Sequence, residues 1–133
     1  MRACYLDASA LVKLATPEAE TDALRAALDT YDARVTNRLA TVEVSRALLR
    51  RGVASAGLVD AVAEAFTGLA IMELDATTAE SAARIGPSTL RSLDAIHLAS
   101  ALALGAELAS MMTYDARLAD AARAAGLEVV TPA

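Results

Sequence analysis

Short apolar runs alternate with helix-forming stretches along the whole chain, and this alternation limits the possible folds more than any other feature. The runs fall at residues 2–6, 33–36, 70–74, 108–113 and 127–130. They are mostly apolar rather than alternating polar with apolar, as expected of strands covered on both faces. Between them lie helical stretches from Ala8 to Ala15, Pro17 to Asp29, Arg38 to Arg51, Ala56 to Phe66 and Asp75 to Ile85. Two more run from a Ser92 cap to just before Gly105 and from Asp115 to Ala125. Pro17 at a first helical position, and Gly52 and Gly126 at helix stops, supply the punctuation. Strands separated by helices imply a parallel sheet with right-handed crossovers. The expected fold is α/β: a three-layer α/β/α sandwich with a four- or five-stranded parallel sheet. A length of 133 residues suits a single domain over residues 1–133.

Composition narrows the function. Seventeen acidic residues against twelve basic ones leave a net charge of −5, which argues against broad, nonspecific nucleic-acid binding. It leaves room for a local basic patch and for carboxylates that hold a metal. Eleven of the twelve basic residues are Arg, whose guanidinium grips phosphate with a bidentate fork. Residues 95–112 look like a membrane span, but His97, Gly105 and Glu107 interrupt them, so a buried helix followed by a strand is expected. The one cysteine, Cys4, allows no internal disulfide and is expected as a buried thiol. With no secretory signal expected at Met1-Arg2, the chain reads as cytoplasmic.

In an open parallel sheet, ligands bind beyond the carboxyl ends of the strands. Asp7, Asp75 and Asp115 each follow a strand, Glu43 lies early in the helix after the second strand, and Asp94 opens the helix before the fourth. Taken singly, each Asp reads more readily as a helix cap or dipole partner than as a ligand, a cap being worth about 1 kcal/mol. Asp75 is assigned to that role, with Thr77 and Thr78 in its first turn, because the third strand of such a sheet is often an edge. Glu43 and Asp94 sit among apolar neighbours and need compensation. No basic partner is placed beside Asp7 by sequence. At an effective dielectric near 20, each pair of carboxylates at about 4 Å costs about 4 kcal/mol. A divalent cation relieves that repulsion, and all-oxygen ligands suit Mg²⁺ or Mn²⁺ rather than zinc.

Four segments carry a resemblance. YLDASALVKL, TVEVSRALLR, LRSLDAIHLASALALGA and MMTYDARLADAARAAGLEVV, in this order, resemble the motifs of PIN-domain ribonucleases, most closely the VapC toxins of toxin–antitoxin pairs. The resemblance covers nearly the whole chain. It implies an α/β/α fold and a Mg²⁺-dependent (or Mn²⁺-dependent) endoribonuclease that cuts RNA with an activated water. It carries catalytic and metal-binding roles onto Asp7, Glu43, Asp94 and Asp115, and supporting roles onto Ser9 and Thr113. It also implies a VapB-like antitoxin partner, a homodimer and no membrane association. The first two helices are the expected dimer surface.

Other residues are open to two readings. Arg46 and Arg50 share a helix face with Glu43 and serve either RNA phosphate or antitoxin contact. Arg91 and Arg117, flanking the third and fourth motifs, are further phosphate candidates. His97, one turn after Asp94, is expected to be packed and hydrogen-bonded locally rather than to ligate metal. A receiver domain is excluded by the lone Asp7 and by Lys13 being the only lysine; a haloacid-dehalogenase phosphatase is excluded by Ser9 where a second Asp is required. The remaining alternatives are a catalytically weak RNA- or antitoxin-binding protein and a nuclease of RNA processing.

Overall fold

The computed structural model describes all residues, 1–133. Five strands form one parallel sheet in the order β3-β2-β1-β4-β5. They are β1 (Ala3–Leu6), β2 (Ala33–Asn37), β3 (Leu69–Met72), β4 (Leu108–Met112) and β5 (Val129–Val130). The first strand is therefore central and the third is an edge. Seven helices connect them: α1 (Ala8–Ala15), α2 (Thr21–Leu28), α3 (Leu39–Arg50), α4 (Ser55–Phe66), α5 (Ala76–Arg84), α6 (Ser92–Ala103) and α7 (Ala116–Ala124).

The central strand shows why the sheet needs helices on both sides. Its residues alternate between two cores, as a period of two requires. Cys4 and Leu6 pack with Leu11, Leu14, Leu24, Leu28, Val44, Leu48 and Met112 under α1 to α4. Ala3 and Tyr5 pack with Val35, Leu98, Ala101, Met111, Leu118 and Ala122 under α6 and α7. All of β1 is buried, and β4 lies in register beside it, Tyr5 opposite Met111 and Leu6 opposite Met112. This is the three-layer α/β/α arrangement. Cys4 is fully buried, and burial pushes its thiol up to about 11, so it is not a reactive thiolate. No helix is long and apolar enough to cross a membrane.

Local differences from expectation have local causes. Helix α2 begins at Thr21 rather than Pro17, because the Thr21 hydroxyl donates to the Lys13 carbonyl and accepts from the Glu18 amide, holding 17–20 as a turn. Ser92 is the first helical residue of α6 rather than its cap; Arg91 stands at the cap position and makes no side-chain cap bond. A 3-10 turn, Gly105–Glu107, intervenes between α6 and β4. Strand β5 has only two residues because the Leu127 amide is used on the Ala122 carbonyl to close α7. The stops after α3 and α7 come at Gly52 and Gly126, with φ of 87° and 88°, a region where a side chain is strained.

Two substitutions test this packing by urea denaturation. Leu98→Ala empties a fully buried position in the α6–α7 core and is expected to cost about 2–5 kcal/mol. Val59→Ala, at a residue 74% exposed on α4, is expected to stay within about 0.5 kcal/mol of the parent.

Candidate active site

The carboxyl ends of β1 and β4 lie side by side, and the chain leaves both strands through polar turns. Asp7 ends β1 and is 3% exposed. Its Oδ1 accepts from the Ser9 hydroxyl at 2.7 Å and from the Ala10 amide at 3.1 Å, capping α1. Its Oδ2 accepts from the Thr113 hydroxyl at 2.6 Å. The same two hydroxyls each accept an amide from the turn after β4: Tyr114 donates to Ser9 at 2.8 Å and Asp115 donates to Thr113 at 3.0 Å. Ser9 and Thr113 thus tie the turn carrying Asp115 to the buried carboxylate. Three hydrogen bonds do not cancel the cost of burial: desolvation raises the Asp7 carboxyl above its ordinary range, against the lowering effect of Thr113, Ser9 and Ala10.

The other three carboxylates arrive from separate elements. Glu43 projects from α3, Asp94 from the first turn of α6, and Asp115 caps α7 by accepting from the Arg117 and Leu118 amides at 2.9 and 3.0 Å through Oδ1. All four line one cleft of about 360 Å³, together with Ser9, Arg91 and His97. Their mutual repulsion is felt at Asp94, whose carboxyl is raised first by desolvation and then by Asp115 and Asp7, with Glu43 adding less and His97 opposing. Asp75 stands elsewhere, capping α5 through the Thr78 amide at 2.8 Å.

His97 is packed and locally bonded, as expected, but its partners are more than local. It is 1% exposed, with Nε2 at 2.6 Å from Glu43 Oε1 and Nδ1 at 2.6 Å from the hydroxyl of Tyr5. Sequence reasoning missed Tyr5 altogether. The available signal was its place two residues before Asp7, on the same face of β1.

The basic candidates separate. A second groove, of about 510 Å³, adjoins the acidic cleft and shares Ala8, Ser9, Glu43 and Leu93 with it. Arg46 and Arg50 line this groove beside Val42 and Tyr114, and neither takes part in an ion pair, whereas Arg51 is paired with Glu18 at 3.2 Å. Arg91 lines the acidic cleft itself, and Arg117 lies in a different depression, with Asp120, Ile85 and Leu90.

The model of the PIN domain family matches residues 4–131. The chain belongs to the PIN-domain family. This PIN domain is 45% identical to Ribonuclease VapC46 of Mycobacterium tuberculosis over 132 residues, covering 99% of both chains. It is 46% identical to Ribonuclease VapC35 of the same organism, covering 96% of both. These relatives make it a PIN domain of the VapC ribonuclease type. Its fold matches the crystal structure of Mycobacterium tuberculosis VapC20, a Sarcin-Ricin loop cleaving toxin, with a TM-score of 0.74 at 20% identity, over 97% of this chain and 99% of that one. It also matches VapBC2 from Rickettsia felis, solved bound to a promoter DNA fragment, with a TM-score of 0.76 at 11% identity over 98% and 99%.

The donor set of the PIN domain is chemically suited to a hard divalent cation, with four carboxylates from four elements and hydroxyls beside them. No three His, Cys, Asp or Glu side chains stand in a closed ligand geometry. Facing carboxylates repel in the absence of a counter-charge between them.

The raised carboxyl of Asp7 fixes a pH dependence in EDTA. Its folded value lies above its unfolded value near 3.9, so the folded state binds the proton more tightly. This contribution therefore destabilises at neutral pH and is relieved as pH falls through the raised value. Asp7→Asn is expected to be as stable as the parent or more so at pH 7, with the advantage shrinking toward pH 4. Chemical denaturation at several pH values in EDTA measures it, and a large loss of stability at pH 7 would make the cap the dominant role of Asp7.

Proposed function

We propose that this PIN domain is a Mg²⁺-dependent (or Mn²⁺-dependent) endoribonuclease and the cytoplasmic toxin of a type II toxin–antitoxin pair. The observation that carries the reading is the convergence of Asp7, Glu43, Asp94 and Asp115 on one cleft, with their repulsion concentrated at Asp94. None of the four carboxylates is ion-paired with a Lys or Arg, the only basic contact being His97 on Glu43, and such a cluster is suited to a cation. A divalent cation held there would lower the pKa of a bound water and stabilise charge on the scissile phosphate.

The chain's own residues have separate tasks. Asp7, Asp94 and Asp115 hold the cation, and Glu43 either joins them or orients the attacking water. Ser9 and Thr113 keep Asp7 in place through the bonds described above. Arg46 and Arg50 bind the RNA backbone along the adjoining groove, and Arg91 steadies the phosphate at the cleft. Their local positive charge offsets the net negative charge of the chain over the path of the RNA. A VapB-like antitoxin, encoded alongside, is the expected regulator, and a homodimer is the expected working form. The names of VapC46 and VapC35 as ribonucleases support the activity.

The test is incubation of purified protein with total RNA in Mg²⁺, in Mn²⁺ and in EDTA, beside Asp7→Asn and Asp94→Asn. Discrete fragments are expected only with metal, and each substitution, which alters a proposed ligand, should slow cleavage by at least the roughly 100-fold that loss of an outer partner of a ligand can cost. Fragment ends should be 5′-phosphate and 3′-hydroxyl, with water adding to phosphorus as the bond to the 3′-oxygen breaks and no 2′,3′-cyclic phosphate formed. Cleavage that persists in EDTA and in Asp7→Asn overturns the reading. Separately, Arg46→Ala combined with Arg50→Ala is expected to raise KM several-fold and flatten the salt dependence of cleavage, with kcat little changed; steady-state kinetics between about 50 and 200 mM salt would show it.

A further inference from the structure

Tyr5 and His97 are buried polar groups for which metal and RNA contact provide no role. Both are almost fully buried, and their rings meet edge to face, with centroids 5.7 Å apart and planes at 64°. Tyr5 sits on the central strand, fully buried between two neighbouring strands, and shares its face with Asp7. Its hydroxyl lies 2.6 Å from His97 Nδ1, and the far side of the ring lies 2.6 Å from Glu43 Oε1. Glu43 is carried by α3, on the opposite layer, and its side chain is 20% exposed. A long, partly exposed glutamate on a helix has several rotamers to choose from, and this chain of contacts selects one.

We propose that Tyr5 and His97 are positioning residues that hold the Glu43 carboxylate by Oε1 and leave Oε2 to the cleft, with Tyr5 locking the ring in its Nε2–H form. The proton inventory supports the direction. A carboxylate only accepts, so Nε2 donates to Glu43. Neutral imidazole then has a lone pair at Nδ1, which needs a donor. The only partner of Nδ1 is the Tyr5 hydroxyl, at 2.6 Å. The Tyr5 hydroxyl therefore donates to Nδ1. No buried side-chain nitrogen or oxygen in the protein lacks a hydrogen-bond partner, so removing the Tyr5 oxygen orphans Nδ1. The central strand thus sets two of the four acidic groups, Asp7 directly and Glu43 through two rings.

The test uses the fact that His97 is the only histidine in the chain, so histidine labelled with ¹⁵N gives two ring signals of certain origin. At pH 7.5 in EDTA the expected spectrum has Nε2 protonated and Nδ1 as a hydrogen-bonded imine. Tyr5→Phe should move the Nδ1 signal to that of an unbonded imine, and Glu43→Gln should weaken the Nε2–H bond. A protonated Nδ1 in the parent protein overturns the proposal. The kinetic arm rests on the nuclease reading above. Tyr5→Phe should lower kcat about 10-fold with KM within about twofold, the size expected when a partner of a ligating or water-orienting group is lost. His97→Gln, whose amide can stand near Nε2 and donate to Glu43, should stay within about threefold of the parent, while His97→Ala should fall to the level of Glu43→Gln. That pair decides the matter even where Tyr5→Phe does not fold. Parent kcat in both Tyr5→Phe and His97→Ala overturns the proposal. A parent protein that cuts no RNA removes the nuclease reading alone, because the ring spectrum still decides who holds Glu43.

Discussion

A carboxylate buried at the end of the central strand is the constraint on which the rest of the site depends. Asp7 has almost no contact with solvent, and burial makes its charge costly. The surrounding sequence spends two hydroxyls and one amide on it, from Ser9, Thr113 and Ala10. Those hydroxyls in turn accept amides from Tyr114 and Asp115, so the turn after β4 is fixed by the needs of a residue over a hundred positions earlier. Charge placement therefore shapes the local backbone, and the backbone delivers a second carboxylate, Asp115, to the same cleft.

Glu43 and Asp94 extend this layout in opposite ways. Glu43 is tied at one oxygen by His97, and through that ring by Tyr5 on the central strand. Asp94 has no hydrogen bond to offset its desolvation, and it feels the other carboxylates directly. One acid is thus pre-oriented and one is left under electrostatic load, the condition a bound cation relieves. The adjoining groove carries Arg46 and Arg50, neither of them ion-paired, beside the acidic cleft. An acidic protein can in this way present a locally basic path that ends at an acidic cleft.

Much of this was legible in the sequence because it follows from strong, local rules. Apolar runs without polar alternation gave a parallel sheet buried on both faces, and the switch-point rule placed Asp7, Glu43, Asp94 and Asp115 at one end of it. Asp75 was assigned to a cap by the same reasoning, and the edge position of β3 agrees. What failed was legible only in three dimensions. The start of α2 depends on Thr21 reaching back to Lys13, and the short β5 depends on Leu127 closing α7. The Tyr5–His97–Glu43 chain joins residues 92 and 54 positions apart, which no local spacing reports. Arg117 looked comparable to Arg91 because each flanks a motif, but the turn of α7 carries it to another depression.

The most direct test of the account is a calorimetric titration of Mn²⁺ into the purified protein, repeated with Asp7→Asn and Asp94→Asn. The parent should bind the ion with a release of protons that grows as the pH is lowered, because cation binding displaces protons from the carboxyls raised by burial and mutual repulsion. Each substitution should abolish saturable binding while leaving the folded state intact by circular dichroism. Equal Mn²⁺ binding by all three proteins would contradict the account, since the carboxylates that share the cleft would then have no part in holding a cation.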